Sequence, residues 1–518
     1  MPELDAFLER TTLIMLSNRE PYEHVIENGE MTIRQPPGGL VSALDPTMRR
    51  THGVWVAWGS GSGDRAATPA DDRVLVPPED PSYTLHRVWL DEEDLEGYYL
   101  GFANRALWPL CHLLIQHFEF RADHWARYRS VNARFAEAVV AELRHVPRRP
   151  MVWVHDYHFA LVPQYVREAL PGVFVHQFWH IPFPPPDILR LLPLGVVDGV
   201  LRGMLGNDLI EFHTERYAAN FIDCVREFLP DARPFGETRT VRIGARTVST
   251  GSFPISIDVE HFERLASTEE STRIARELRA HYATGTRALG VSVDRIDYTK
   301  GIPQRLDALD ALWDESPELR GRFTMIIVAT PSRSEIPAYA TLEQHVVERV
   351  DEINRRIGLD GWTPIVLIRE NADAEQLAAI YRAADLCLIS SLQDGMNLVA
   401  KEFVASQVDE RGVLLLSRFT GAAEEIDGAI LINPFNVDGF VSAIRLAIEM
   451  APAERAQRMH SMREQLRHAT IFHWLDAVLS RCAQLMDREP PRLNVPRVTP
   501  RNGADRGRPA SPLDEARP

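Results

Sequence analysis

Cysteine is scarce: four in 518 residues, Cys111, Cys224, Cys387 and Cys482, widely spaced and with no Cys-x-x-Cys pair. That excludes a disulfide framework and a structural zinc site, and fits reduced core thiols in a cytoplasmic protein. No run reaches the roughly 18 apolar residues a membrane-spanning helix needs, so no membrane segment is expected. The opening MPELDAFLERTT is acidic and has no apolar stretch, so no signal peptide is expected either. Basic residues are in deficit, 57 against 73 acidic, for a net charge of −16. Such a chain lacks the basic face of a duplex nucleic-acid binder. A few cations focused in a cleft can nevertheless bind small anions within an acidic protein. No repeat of 20–50 residues is present, which excludes solenoids and propellers.

What is present is alternation. Short apolar runs at Leu13–Leu16, Val54–Trp58, Met151–Val154, Val173–Phe178, Leu209–Phe212, Leu289–Val293, Thr324–Val328, Ile365–Ile368, Leu386–Ile389 and Val413–Leu416 are separated by amphipathic segments such as Ile302–Trp313 and Ala374–Ala384. This pattern predicts βα units, that is, parallel sheets with helices on both faces. Ligands of such sheets sit beyond the carboxyl ends of the strands. The segment 239–249 alternates around Gly244 and reads as a hairpin. The length suits two domains, with expected limits 1–250 and 251–468. An amphipathic helix at 469–486 is expected to pack back on the first domain, ahead of a disordered tail at 487–518 rich in Pro, Arg and Gly.

Polar residues at six strand ends carry the functional signal. After the first strand comes Arg19, and then Pro36-Pro37-Gly38-Gly39 leads into a helix, where backbone N–H groups could meet an anion; an ordinary turn fits PPGG equally well. Val152–Pro163 ends a buried strand in Asp156 and His158, with helix capping as the plainer role for Asp156. Phe178–Pro193 ends another in His180, before a proline-rich loop and a helix expected to be capped by Asp187. Arg295 and Lys300 stand five apart ahead of a helix, which suits a diphosphate, although Asp294 and Asp297 could simply neutralise them. Arg333 lies just past another apolar strand. In Ser390–Phe403, Asp394 and Gly395 precede a helix beginning near Asn397: Asp394 could accept hydrogen bonds from sugar hydroxyls, backbone groups at Asn397 and Leu398 could meet a phosphate, and Glu402 could grip a ribose.

These segments, with YYxxFxNxxLWP (Tyr98–Pro109), LxGNDLIEFHT ending at Thr214 and GVLLLSRFTGAAEE (Gly412–Glu425), resemble glycosyltransferase family 20, the trehalose-6-phosphate synthases, from about Leu13 to Leu479. The resemblance implies an α/β fold of two Rossmann-like, doubly wound parallel-sheet domains facing a cleft, the GT-B architecture. It implies transfer of glucose, with retention, from a nucleotide-glucose donor to glucose 6-phosphate. By matched position, Arg19, Tyr99, Trp108 and Arg333 would bind the acceptor phosphate. Asp156, His180, Arg295, Lys300 and Asp394 would surround the reacting groups. Gly38, Gly39, Gly395, Met396, Asn397, Leu398, Val399 and Glu402 would join Arg295, Lys300 and Asp394 in holding the donor. No Asp-x-Asp pair exists to hold a metal on a diphosphate, so no metal and no cofactor are expected, the cations and helix starts serving instead. The partners implied are the two sugar substrates, without nucleic acid or membrane; a homo-oligomer is compatible with the sequence.

The chain departs from the family pattern in places. Its first loop reads REPYEH where Arg-Leu-Pro is usual, and with Trp55–Trp58 (WVAW) this is similar to the glucosylglycerol-phosphate synthases, which makes glycerol 3-phosphate the alternative acceptor. Asn207, Glu211 and Arg418 also differ from the usual residues. A glycoside hydrolase would need two carboxylates across the cleft; only Asp156 and Asp394 could serve, and the cations would then lack a purpose.

Overall fold

Strand-to-helix alternation resolves into two sheets whose carboxyl edges face each other. The computed structural model describes residues 2–35, 39–146, 149–235, 239–284 and 288–488. The first sheet has ten strands, in the order Ala232–Phe235, Thr240–Ile243, Arg246–Ser252, Leu209–Phe212, Phe174–Phe178, Arg149–His155, Thr11–Leu16, Val54–Trp58, Tyr83–Val88 and Arg73–Val76. It is parallel from Arg246–Ser252 across to Tyr83–Val88, and antiparallel at both margins. The second sheet has six strands, all parallel: Ile365–Ile368, Phe323–Thr330, Ala288–Arg295, Leu386–Ile389, Val413–Ser417 and Ile430–Ile432. All ten apolar runs named above are strands, five in each sheet. Helices in the crossover connections cover both faces of a parallel sheet, so such strands read as continuous apolar runs.

Burial follows the two-residue period of a strand. Ile14, Leu16, Val54 and Val56 face one core of the first sheet. Leu13, Met15, Trp55 and Ala57 face another, which continues without a break to Leu289, Val291, Ile389 and Leu416 of the second sheet. The far face of the second sheet carries Leu386, Leu388, Val413 and Leu415 over its own cluster.

Some expectations need correcting. The strands Arg73–Val76 and Tyr83–Val88 gave no sequence signal, because His86 and Arg87 interrupt the apolar run although both are buried. A separate hairpin pairs Glu23–Glu27 with Glu30–Arg34. Asp187 does not cap its helix: Pro185 occupies the N-cap of Pro186–Leu189 and Asp187 lies inside the first turn. The hairpin about Gly244 forms as read, with that glycine at φ +57°. The expected disordered tail lies outside the described residues, apart from Asp487 and Arg488, which belong to the helix Ile471–Arg488.

That helix crosses from the second sheet back to the first. Trp474 packs edge-on against Phe178, with ring centroids 5.1 Å apart, lies 5.9 Å from Trp153, and donates its Nε1–H to the Phe253 carbonyl. Among the described residues no helix is long and apolar enough to cross a membrane. Removing a buried indole costs roughly 3–5 kcal/mol through lost transfer energy and the cavity left behind. Trp474→Ala is therefore expected to lower the thermal unfolding midpoint by several degrees in a calorimetric scan, whereas Phe472→Ala, at an exposed position of the same helix, leaves it nearly unchanged.

Candidate active site

Among the described non-glycine residues with positive φ, Asp156 (+73°), Arg333 (+49°) and Asn397 (+92°) stand between a parallel strand and the helix that follows it. Such strain persists only where surrounding contacts enforce it, and it concentrates at functional sites. The Asp156 carboxylate accepts from Tyr157 N (2.9 Å) and from His180 N (3.2 Å), tying together the ends of two neighbouring strands. Burial pushes its carboxyl up to about 7 against these bonds and the Arg333 charge. The His180 ring meets His155 (Nε2 to Nδ1, 3.0 Å), and burial followed by the neighbouring histidines keeps it neutral.

Arg333 is the centre of a second group. Its guanidinium lies 4.3 Å from the centroid of the Trp108 ring and bonds Asp297 Oδ2 (3.2 Å) and Tyr339 Oη (2.8 Å). Arg295 approaches the same ring at 5.9 Å and donates to Ser332 Oγ. Burial would raise the Asp297 carboxyl, but Arg333 and Arg295 hold it below its ordinary value. Burial would likewise raise the Tyr99 phenol, yet Arg333, Arg19 and Arg295 bring it below the usual range. Tyr99 stacks on His158 and sits 6.1 Å from Trp58. Trp108 Nε1, Arg333 Nε and both His158 ring nitrogens are buried without a protein partner. Buried donors are rarely left unpaired, so several together beside three guanidiniums mark an anion pocket.

Lys300 and Asp394 form the third group. Lys300 Nζ is 2.5 Å from Asp394 Oδ2, which also accepts from Ser391 Oγ and Asn397 Nδ2. Burial favours the neutral acid, but Lys300 prevails and holds Asp394 at about 2. Asp394 is thus a lysine-paired acceptor rather than a free nucleophile. Lys300 stands just before Gly301 (φ +62°), where a Cβ would lie 2.1 Å from the Ser390 carbonyl; only glycine makes that turn into Ile302–Glu315. Asn397 caps Leu398–Ser406 by accepting from Ala400 N. Leu398 and Val399, in the first helical turn, have N–H groups with no intrahelical partner. Glu402 does not join the ion-paired group: Tyr381 Oη donates to it at 3.1 Å, and burial raises its carboxyl to about 7.

The two edges touch at this site. A Cβ on Gly395 would lie 2.4 Å from the His180 carbonyl oxygen, and Tyr217 Oη donates to the Asp394 carbonyl at 3.1 Å. Met396 is buried beside them, its carbonyl accepting from Ala422 N. Arg19, Tyr99, Trp108, Arg295 and Arg333 thus converge, with Lys300–Asp394 and Asp156–His180 at the contacting edges. Gly38 lies outside the described residues, and Gly39 opens the helix Gly39–Thr51. Of the two local neutralisations that the sequence allowed, Asp297 meets Arg295 at 3.9 Å, but neither acid pairs with Lys300: Asp294 pairs with buried Arg305, and Asp297 also with Arg333. Sequence reasoning passed over His155, Trp58, Tyr217 and Tyr339. Trp58 and His155 lay within motifs already singled out, whereas Tyr217 and Tyr339 sit in helices with no local signal.

Two of the unusual residues gain a physical account. Asn207 Nδ2 donates to Gln177 Oε1 and to the Met204 carbonyl. Glu211 pairs with His176 at 2.9 Å, both side chains fully buried. Nothing in the structure explains Arg418.

Residues 11–484 match glycosyltransferase family 20. The chain is 38% identical over 472 residues to the bifunctional trehalose-6-phosphate synthase/phosphatase of Thermoproteus tenax, covering 89% of this chain and 62% of that one; it thus spans less than two thirds of that relative's length. It is 36% identical over 483 residues to the trehalose-6-phosphate synthase of Mycolicibacterium gilvum, covering 91% and 94%. Among solved structures, a UDP-forming alpha,alpha-trehalose-phosphate synthase from Burkholderia xenovorans in complex with glucose-6-phosphate has a TM-score of 0.79 at 32% identity, covering 91% and 100%. A structure from E. coli bound with UDP-2-fluoro glucose has a TM-score of 0.80 at 30% identity, covering 91% and 99%.

The balance at Asp394 is open to direct measurement. In Lys300→Met, burial is opposed only by the weaker pulls of His112 and Asn397, so the Asp394 carboxyl is expected to titrate well above about 2; carbon-13 NMR of the carboxyl, with Asp394→Asn for assignment, reads the change.

Proposed function

The chain belongs to glycosyltransferase family 20, and on that premise we propose that it is a retaining glucosyltransferase that moves glucose from UDP-glucose to glucose 6-phosphate, giving trehalose 6-phosphate and UDP. Relatives described as UDP-forming, and solved relatives holding glucose-6-phosphate or UDP-2-fluoro glucose, support the choice of substrates. The observation that carries the reading is the pocket where Arg333 lies over Trp108, with Arg19, Arg295 and Tyr99 around it and buried donors left unpaired. Its charge and its indole and phenol walls suit a phosphorylated sugar.

In this reading residues 1–250 supply the acceptor side and 251–468 the donor side. Arg19, Tyr99, Trp108 and Arg333 hold the acceptor phosphate. Arg295, Lys300 and the N–H groups opening Leu398–Ser406 neutralise the donor diphosphate, and Gly38 and Gly39 are assigned to donor binding with them. Gly395 and Met396 shape the turn over which the donor lies. Asp394, held ionised by Lys300, accepts hydrogen bonds from the glucose hydroxyls, and Glu402 binds the ribose. Asp156 and His180 flank the reacting carbon. The acceptor hydroxyl attacks the anomeric carbon on the face from which UDP departs. The departing phosphate oxygen takes the hydroxyl proton, which preserves the anomeric configuration and requires no carboxylate nucleophile. Catalysis then consists of orienting two anions and stabilising the charge that develops on UDP. Contact of the two edges excludes the water that would otherwise hydrolyse the donor. The residues on hand supply diphosphate neutralisation without a metal or other cofactor.

The test is UDP release from UDP-glucose with glucose 6-phosphate, with glycerol 3-phosphate, or with neither, the products being identified by NMR. Arg333→Ala is expected to raise the acceptor KM at least tenfold while leaving the UDP Kd nearly unchanged; equal loss of both contradicts the assignment. A second outcome concerns Glu402. Its ionised form accepts from the ribose, and burial raises it to about 7, so UDP affinity is expected to be constant above about pH 8 and to weaken as pH falls below about 7. Calorimetric titrations of wild type and Glu402→Gln against pH check this, the variant losing the part of the dependence that belongs to Glu402.

A further inference from the structure

The first loop departs from its family at Glu20, and the next strand does so at Trp55, yet neither side chain lines the anion pocket. Both are wholly buried beneath it. Glu20 Oε2 accepts from Arg87 Nε (2.7 Å), and Arg87 Nη2 reaches Asp64 Oδ1 (2.8 Å), all three side chains being 0% exposed. Around this core the backbone is gathered in. Ser60 N donates to Glu20 Oε1, Gly61 N and His24 N donate to Asp64, and Arg87 donates to the Tyr22 carbonyl and to Thr68 Oγ1. The His24 ring also meets both Arg87 and Asp64. A second clamp acts on the same loop: Trp55 Nε1 donates to Ser17 Oγ, which donates to the Arg19 carbonyl at 2.6 Å. The segment running from Arg19 to His24 and the segment running from Trp58 to Asp64 are thereby fixed to one another. The first segment carries Arg19, and the second carries Trp58, whose ring lies 6.1 Å from that of Tyr99 in the pocket wall.

We propose that Glu20, Arg87 and Asp64 form a buried positioning hub that sets the spacing between Arg19 and Trp58, and so determines how tightly the acceptor phosphate is held. The inference rests on Arg19 binding that phosphate. A buried ion pair rarely stabilises a fold more than apolar residues of similar size would, and fixing one arrangement is its better-attested use. One guanidinium faces two carboxylates here, so the hub is electrically balanced when one of them keeps its proton. Burial, followed by Asp64, pushes the Glu20 carboxyl up to about 9 against the pull of Arg87. Glutamine at position 20 keeps an uncharged side chain with one accepting oxygen, its NH2 replacing the other, while leucine, the residue usual in the family's Arg-Leu-Pro loop, leaves both Arg87 Nε and Ser60 N without partners.

The experiment measures initial rates for wild type, Glu20→Gln, Glu20→Leu and Arg87→Met, varying UDP-glucose and glucose 6-phosphate separately. Glu20→Leu and Arg87→Met are expected to raise the acceptor KM by about tenfold, the scale of one lost charge-assisted hydrogen bond. The donor KM and kcat stay within about twofold, and Glu20→Gln, which keeps one of the two acceptors, raises the acceptor KM less than Glu20→Leu does. A folded Glu20→Leu with unchanged acceptor KM, or with donor and acceptor KM rising together, overturns the proposal. Should both disruptive variants fail to fold, Ser17→Ala frees the Arg19 carbonyl and leaves the Trp55 indole N–H without its acceptor: an acceptor KM raised about threefold at an unchanged donor KM supports positioning from below, and an unchanged acceptor KM refutes it. Wild type releasing UDP only with glycerol 3-phosphate would replace the acceptor and not the hub, and the same comparison is then made with that acceptor. Wild type releasing none with either acceptor would refute the transferase reading itself.

Discussion

Arg333, from a loop of the second sheet, lies across Trp108, which belongs to the first half of the chain, and nearly every feature of the site follows from that contact. A guanidinium over an indole face is worth roughly 2 kcal/mol once desolvated. Asp297 and Tyr339 hold the cation in place from its own side. Because Arg333 is braced in this way through Nη1, its Nε–H can stay free of protein partners. The pocket is therefore shaped as an anion site in advance of any ligand, and part of the ordering cost of binding is met by the fold. The same contact fixes the separation of the two edges, which is why Gly395 can rest against the His180 carbonyl and Tyr217 can reach the Asp394 carbonyl.

The charges divide into two kinds. Asp294 with Arg305, and Glu20 with Arg87, are sealed from solvent and shape loops rather than touch ligands. Lys300 with Asp394, partly exposed, and Arg333 with Asp297, buried, lie at the meeting of the edges. In the second kind burial and charge oppose each other openly. Asp394 and Asp297 are driven down while Asp156 and Glu402, which lack a cationic partner at bonding distance, are driven up. Carboxyl groups with such different protonation within one crevice can serve different purposes at one pH.

Much of this was legible in the chain itself. Runs such as Leu13–Leu16 and Leu386–Ile389 announced central parallel strands because such strands are apolar on both faces. Arg19, Asp156, Arg295 and Lys300 announced themselves by standing at strand ends. Arg73–Val76 and Ala232–Phe235 did not, being short marginal strands whose pattern is broken by half-exposed positions or by Pro234. Nor could spacing foretell pairing. The sequence offers Asp294 and Asp297 to Lys300, but Lys300 pairs with Asp394, ninety-four positions away. Glu20 was visible as a departure, and its destination was not, since Arg87 lies in a strand whose polar residues hid it.

The return of Ile471–Arg488 to the first sheet has a mechanical consequence. The chain passes between the sheets twice, near Phe253–Ile257 and again at Ile471, and the passages are bonded to each other through Ile471 N with the Ile257 carbonyl and the Trp474 indole with the Phe253 carbonyl. Two straps laid side by side resist shear and torsion but yield to bending. Any opening of the crevice is thereby confined to a single axis, like the spine of a book, and each reclosure brings Arg333 back onto the same face of Trp108.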